Sequence, residues 1–207
     1  MLRRALVSAM AVAVFAALSL TSRAATLSEN QSGSTLSGFV YFGVPLTTPA
    51  GGPYDHLSFF FFGTGPVITP LANGTLFLLS KPYNSDQNAN DTPFNLSSST
   101  DGYIAQAAAS GGVYQFTTSV TLQGNTAYYF YSNGLVNAAV STTGTSDRSN
   151  DFSDPFATIA NSRPNYRLSG TAVTAAVPLP SAASLGAAFL PAGMLWAALR
   201  RRKLRAC

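Results

Sequence analysis

The chain has 207 residues, 46% of them hydrophobic and 12% aromatic, which is enough apolar material for one packed domain and too much for disorder throughout. Only 10% are charged, too few for the Lys/Glu faces of a helical bundle, and with many Gly, Ser, Thr and Asn residues this points to an all-β protein with solvated turns. The net charge of +4 comes from the ends, where Arg3, Arg4, Arg23, Arg200, Arg201, Arg202, Lys203 and Arg205 lie; between them only Lys81, Arg148, Arg163 and Arg167 stand against all eight acids, so no nucleic-acid surface is expected.

At the N-terminus, Arg3 and Arg4 precede an uncharged apolar run over residues 5–20, and Ser22-Arg23-Ala24 puts small residues at −3 and −1. These are the three parts of a Sec signal peptide, residues 1–24, implying passage through the Sec translocon and cleavage by signal peptidase between Ala24 and Ala25. The alternative is an uncleaved anchor, for which the run is Ala-rich and short against the roughly 20 residues of a span.

Residues 25–176 read as an extracellular domain. Runs rich in aromatic and β-branched residues fall at 36–43, 57–62, 75–79, 103–105, 113–122, 126–131 and 166–173, bounded by Gly, Pro, Asn and Ser, the pattern of short strands. Gln123-Gly124-Asn125 reads as a hairpin turn between two of them. Strands at this spacing imply an antiparallel β-sandwich, jelly-roll-like. Residues 59–62, all Phe, fit either a central strand buried on both faces or a strand with one exposed aromatic face.

Two polar stretches, residues 81–101 and 142–165, interrupt the strands and are long for loops, which makes them candidate functional surface. Asp86, Asn88 and Asp91 alternate oxygen ligands as a calcium loop does. The Gly of an EF-hand's sixth position is replaced by Asp91 and the twelfth-position acid by Ser97, so the candidate is a non-EF calcium site and the competing reading a solvated polar turn. Asp147, Asp151 and Asp154 in the second stretch carry the same pair of readings. No other cofactor is indicated.

Catalysis finds little support. His56 is the single histidine; it follows Asp55, but adjacency in sequence is not the convergence of Ser, His and acid that a triad needs, and it reads as a turn or strand-edge residue. Cys207 is the single cysteine and has no partner for an intramolecular disulfide. A pair of carboxylates for glycoside hydrolysis stays open as a third class, with nothing marking two acids as special. The chain is read as non-enzymatic. Tyr41, Tyr54, Tyr83, Tyr103 and Tyr114 are candidates for stacking on sugars, with Tyr54, Tyr83 and Tyr103 the named ligand-binding candidates; the competing reading of each is a half-buried strand residue.

The C-terminal stretch, residues 177–207, carries the most specific signal. Val177-Pro178-Leu179-Pro180 precedes an uncharged apolar run over residues 182–199 and then Arg200, Arg201, Arg202 and Lys203. A helix over 182–199 rises about 27 Å against a hydrocarbon core of about 30 Å. The basic cluster holds its end of the helix in the cytoplasm. Pro178 and Pro180 fix φ and hold Leu179 extended, as a protease cleft requires.

Motif, span and basic cluster, in that order, resemble the PEP-CTERM sorting signal of Gram-negative bacteria in a Val-Pro-Leu-Pro variant; the commoner form has Glu where Leu179 stands. The resemblance covers this tail alone. It implies processing by an exosortase, an inner-membrane-anchored precursor, and delivery to the cell surface or an exopolysaccharide and biofilm matrix. Two function classes follow for the domain: a structural or matrix-interaction protein, and a carbohydrate-binding module that calcium could assist. The exported protein is expected to begin at Ala25, because a cut one residue later puts Arg23 at −3; its intact mass reads this directly, and retention of Met1 contradicts it.

Overall fold

The computed structural model describes residues 24–65, 68–83 and 89–173. The signal peptide up to Arg23, the sorting motif and predicted span, and Asp86 and Asn88 lie outside the described residues. The described strands belong to a compact unit that ends at Val173, and among them no helix is long and apolar enough to cross a membrane.

The domain is all-β and antiparallel. Its strands are β1 (Ala25–Asn30), β2 (Thr35–Leu36), β3 (Tyr41–Thr47), β4 (Tyr54–Phe62), β5 (Pro70–Leu71), β6 (Thr75–Leu79), β7 (Tyr103–Ser110), β8 (Val113–Gln115), β9 (Ala127–Ser132), β10 (Ala139–Val140), β11 (Thr145–Ser149), β12 (Ala157–Ala160) and β13 (Tyr166–Ala172). One continuous sheet runs β1-β13-β4-β8-β7-β6-β9-β3-β11-β12, with β5 on β4, while β10 and β2 form a separate ribbon. Strands β4 and β9 are not neighbours in that order, yet Phe59 stacks on Phe130 with ring centroids 5.0 Å apart. The sheet therefore curls until its two halves face each other.

Side-chain alternation builds the core. Phe42, Val44, Leu46, Leu57, Phe59, Phe61, Leu76, Leu78 and Phe130 face the interior between the halves. The alternate residues Tyr41, Phe77, Leu79 and Tyr131 join Leu96 and Phe156 in a second buried cluster on the outer face of β3, β6 and β9. In β4 the outward Phe60 is half-buried under the Arg167 guanidinium, 5.8 Å from its ring centroid. The Phe run is thus a central strand, buried on its inner face and partly roofed on its outer one.

Two expectations are corrected. Gln123–Asn125 is a turn, with Asn125 at φ 55°, but not a hairpin: Leu122 bridges Tyr54 of β4 while β9 pairs with β3 and β6, so the turn carries the chain from one half of the curl to the other. The hairpin lies at Gly111-Gly112, both with positive φ, between β7 and β8, where Ser110 pairs with Val113. The stretch over residues 142–165 is not all loop either, since β11 and β12 pair within it. Pro45 sits inside β3 beyond the residues that pair with β11, so its missing N–H costs no ladder bond, and its carbonyl accepts from the Arg163 guanidinium at 3.3 Å.

The ladders define two poles. Ala25 pairs with Gly170 and Ala172 with Tyr54, so the domain enters and leaves at one pole. Phe61 pairs with Tyr166, and the nine residues of β4 carry the chain about 25 Å to the far pole. Thr47 pairs with Ala127 beside the entry pole, and β3 therefore starts, at Tyr41, towards the far one.

Gly43 is a packing requirement, since a Cβ there lies 2.2 Å from Tyr131 Cε1 and 2.9 Å from Asp147 Cβ. Gly43→Ala is expected to lower stability by about 2–3 kcal/mol. Gly38→Ala, whose added Cβ meets nothing within 4 Å, is expected to cost about 1 kcal/mol through backbone strain alone. Urea melts of the two variants beside wild type measure the difference.

Candidate functional site

The two polar stretches cover the second cluster. Pro93–Asn95 form a single 3-10 turn capped by Thr92, whose side chain accepts from Asn95 N. Within this turn region Leu96 is buried while Phe94 is 68% exposed. In the second stretch Phe156 is buried and Phe152 is 40% exposed. Backbone hydrogen bonds stitch the stretches together, Phe94 N to Phe152 O at 3.1 Å and Phe156 N to Asp91 O at 2.9 Å. The outward rings meet edge-on at 5.5 Å, and Phe152 leans on Tyr41 at 5.8 Å, the far-pole end of β3.

Beneath them lies a buried polar network. Tyr131 donates to Asp147 Oδ2 at 2.5 Å, Thr158 donates to Asp147 Oδ1 at 2.8 Å, and the Tyr131 oxygen accepts from Tyr83 N at 3.0 Å. Burial first, then the charge and hydrogen bond of Asp147, push the Tyr131 phenol far above its ordinary value of 10. Burial, helped by Asp91, raises Tyr83 to about 12.

A groove of about 550 Å³ opens at the far pole. One wall is the segment holding Leu36 and Phe39, which runs beside residues 136–140 through the β2–β10 ribbon and the Val40–Val136 bridge. A second wall is Pro70–Asn73, following the end of β4, and Val136 and Asn137 also line the groove. Tyr114, fully buried, pins the second wall: its hydroxyl donates to Asn73 O at 2.7 Å and accepts from Asn73 N at 3.0 Å. Burial raises the Tyr114 phenol to about 12. Phe39 is 70% exposed, and Asn137 Oδ1 is buried with no hydrogen-bond partner among the described residues.

The sequence candidates fall elsewhere. Tyr41, Tyr54 and Tyr114 are buried and Tyr83 and Tyr103 half-buried. Tyr54 belongs to the inner core and gives its hydroxyl to Ala50 O at 3.0 Å, whereas Tyr83 and Tyr103 pack on the outer cluster; the three share no face. Among the described residues the exposed phenyl rings are Phe39, Phe94 and Phe152, which sequence reasoning passed over. The available signal for two of them was an isolated Phe within a polar run.

The acids are also separated. Asp147 belongs to the buried network, Asp151 accepts from Ser153 N and Oγ at 2.9 and 2.8 Å, and among the described residues no three His, Cys, Asp or Glu side chains group as metal ligands do. His56 is a bulge residue of β4 at φ 49°, opposite the register shift between Ser169 and Thr171; its ring is 58% exposed and lies 2.7 Å from Asp55.

No family model, curated protein or solved structure matches the chain.

The raised phenols give a pH signature. Tyr131 and Tyr114 hold their protons in the folded state above pH 10, where the unfolded chain releases them. Their contribution is therefore fully present below about pH 10 and is lost as pH rises above it, by about 1.4 kcal/mol per pH unit for each group. Urea midpoints from pH 8 to 11.5 are expected to be flat and then fall, and Tyr114→Phe to fall less steeply.

Proposed function

We propose that this chain is an exported surface protein, sorted by an exosortase and acting by contact in an exopolysaccharide or biofilm matrix. The signal peptide and the PEP-CTERM-like tail support the route. The observation that carries the reading is the polarity of the domain: its two ends leave at one pole, while Phe39, Phe94 and Phe152 are exposed at or towards the other. Apolar rings exposed at the pole away from the domain's own two ends suit adhesion to a matrix. We read the curled sheet as a jelly-roll-like sandwich whose far rim carries the interaction surface.

A carbohydrate-binding module is the second reading, favoured by those same exposed rings, since aromatic faces stack on sugars. Calcium assistance at Asp86, Asn88 and Asp91 remains part of that second reading.

The sorting step has a direct test. Pro178→Ala with Pro180→Ala leaves the apolar length and the basic cluster intact, so a plain anchor is indifferent to it. In a host with an active exosortase, wild type is expected to lose Arg200, Arg201 and Arg202 and reach the surface or matrix. The double variant is expected to accumulate as a membrane-bound precursor that keeps them. Equal processing of both, or a wild-type protein that retains Cys207, contradicts the sorting reading; intact masses and fractionation decide.

A further inference from the structure

We infer that the patch of Phe94, Phe152 and Asp151 receives an arginine of a partner protein, whose guanidinium lies on the rings and pairs with the carboxylate. The inference rests on the matrix-contact reading above and names the partner's chemistry.

The fold carries its own template for such a seat. Arg167 stands 5.8 Å from the Phe60 centroid and donates to Glu29 Oε1 at 2.7 Å, so ring, guanidinium and carboxylate meet at one place. Arg148 and Arg163 lie over rings in the same way, at 5.7 and 5.4 Å. The outer patch has two of the three parts. Phe94 and Phe152 are exposed and meet edge-on, and Asp151, next to Phe152 in the chain, is exposed as well. Phe152 leans on Tyr41, whose phenol is raised first by burial and then by the charge of Asp151. Hydrogen bonds from Ser153 N and Oγ hold the Asp151 carboxyl below its ordinary value, and so ionised.

The nearest cation in the chain is committed elsewhere. Arg148 is the one Lys or Arg in residues 142–162, and it lies over Phe42 with its nitrogens on Ser162 Oγ and Ser37 O. Asp151 and Asp154 enter no ion pair among the described residues.

Charge decides among the occupants. Between residues 25 and 176, Lys81, Arg148, Arg163 and Arg167 stand against all eight acids, so a second copy or an acidic polymer is repelled. A neutral apolar surface covers the rings but leaves the Asp151 charge desolvated and unpaired. An arginine does both jobs, since its stem and planar guanidinium cover ring surface while its nitrogens answer the carboxylate.

The test uses the full chain in mild detergent and fluorescence anisotropy with a labelled Gly-Ser-Arg repeat peptide. The same repeat with neutral citrulline in place of arginine, and a chitosan oligosaccharide, are the comparisons. The arginine peptide is expected to bind, and the citrulline peptide to bind at least about tenfold more weakly. Phe94→Ala with Phe152→Ala leaves every charge in place and is expected to weaken the arginine peptide about tenfold. Asp151→Asn is expected to weaken it about fivefold, and Asp55→Asn, the same change of charge at the entry pole, to leave it as in wild type. If the double variant does not fold, the citrulline and Asp151→Asn comparisons decide alone.

Equal losses in Asp151→Asn and Asp55→Asn, with the double Phe variant binding like wild type, mean diffuse attraction of a polycation and overturn the inference. Tighter binding of the chitosan oligosaccharide, lost in the double variant, makes the partner a glycan: the arginine inference falls and matrix contact stands. If no cationic probe binds, the inference falls; if the host's own matrix does not retain the full chain either, the matrix reading falls with it.

Discussion

Phe59 is where the curled sheet closes on itself. Its ring is stacked on Phe130 at 5.0 Å and 13° and on Tyr166 at 5.5 Å and 6°, and meets Phe61 edge-on at 5.0 Å. Strands β8, β7 and β6 separate β4 from β9 in the hydrogen-bonded order, so no ladder holds the two halves face to face; side-chain packing does. Burial of one such ring contributes about 1.5–3 kcal/mol, and each aromatic pair about 0.5–1.5 kcal/mol more. Against a typical domain stability of about 5–15 kcal/mol, this one stack is a large share of what keeps the curl shut.

Closure on one side leaves the other side of β3, β6 and β9 apolar, and that fixes the role of the two polar stretches. Phe77, Leu79 and Tyr131 alternate with inward residues along their strands, so neither face of this half can be left to water. Leu96 and Phe156 are the plugs that the stretches insert, and the backbone bonds between residues 94 and 152 and between 156 and 91 hold the plugs in place. Loops that work as a lid over a second core must be long. Their polarity belongs to the outer surface, while the Asp147 carboxylate satisfies Tyr131 and Thr158 beneath it.

Much of this fold was legible in the sequence. The aromatic, β-branched runs located β4, β6, β9 and β13 closely, because a strand packed on a core announces itself by side-chain type. Strands β1, β11 and β12 were missed for the converse reason: Ala-Thr-Leu-Ser-Glu-Asn and Thr-Ser-Asp-Arg-Ser are held by backbone pairing at or near a sheet edge, where composition carries little signal. The hairpin was misplaced because Gly124-Asn125 looks like a turn and is one, but pairing partners are a tertiary property; Gly111-Gly112 was the stronger pair. The candidate site was less legible. Whether a ring is core or surface depends on which face of a loop it takes. Tyr54 went into the inner core, Tyr83 and Tyr103 lie half-buried on the outer cluster, and Phe94 and Phe152, only two to four residues from the buried Leu96 and Phe156, went outward.

That outward turn is selective. The arginines of the described domain each lie over an aromatic ring: Arg148 at 5.7 Å from the Phe42 centroid, Arg163 at 5.4 Å from Tyr166 and Arg167 at 5.8 Å from Phe60. Such a cation covers apolar ring surface with its stem and guanidinium plane while keeping its charge near water. With only 10% charged residues, a chain that commits its arginines this way has few other means of hiding rings. Phe39, Phe94 and Phe152 receive no such roof among the described residues, although burying each would contribute about 1.5–3 kcal/mol. Phe94 and Phe152 meet edge-on and so form one apolar patch of two rings, and under the proposed matrix contact that patch, set towards the pole farthest from where the chain enters and leaves, is what a partner would meet.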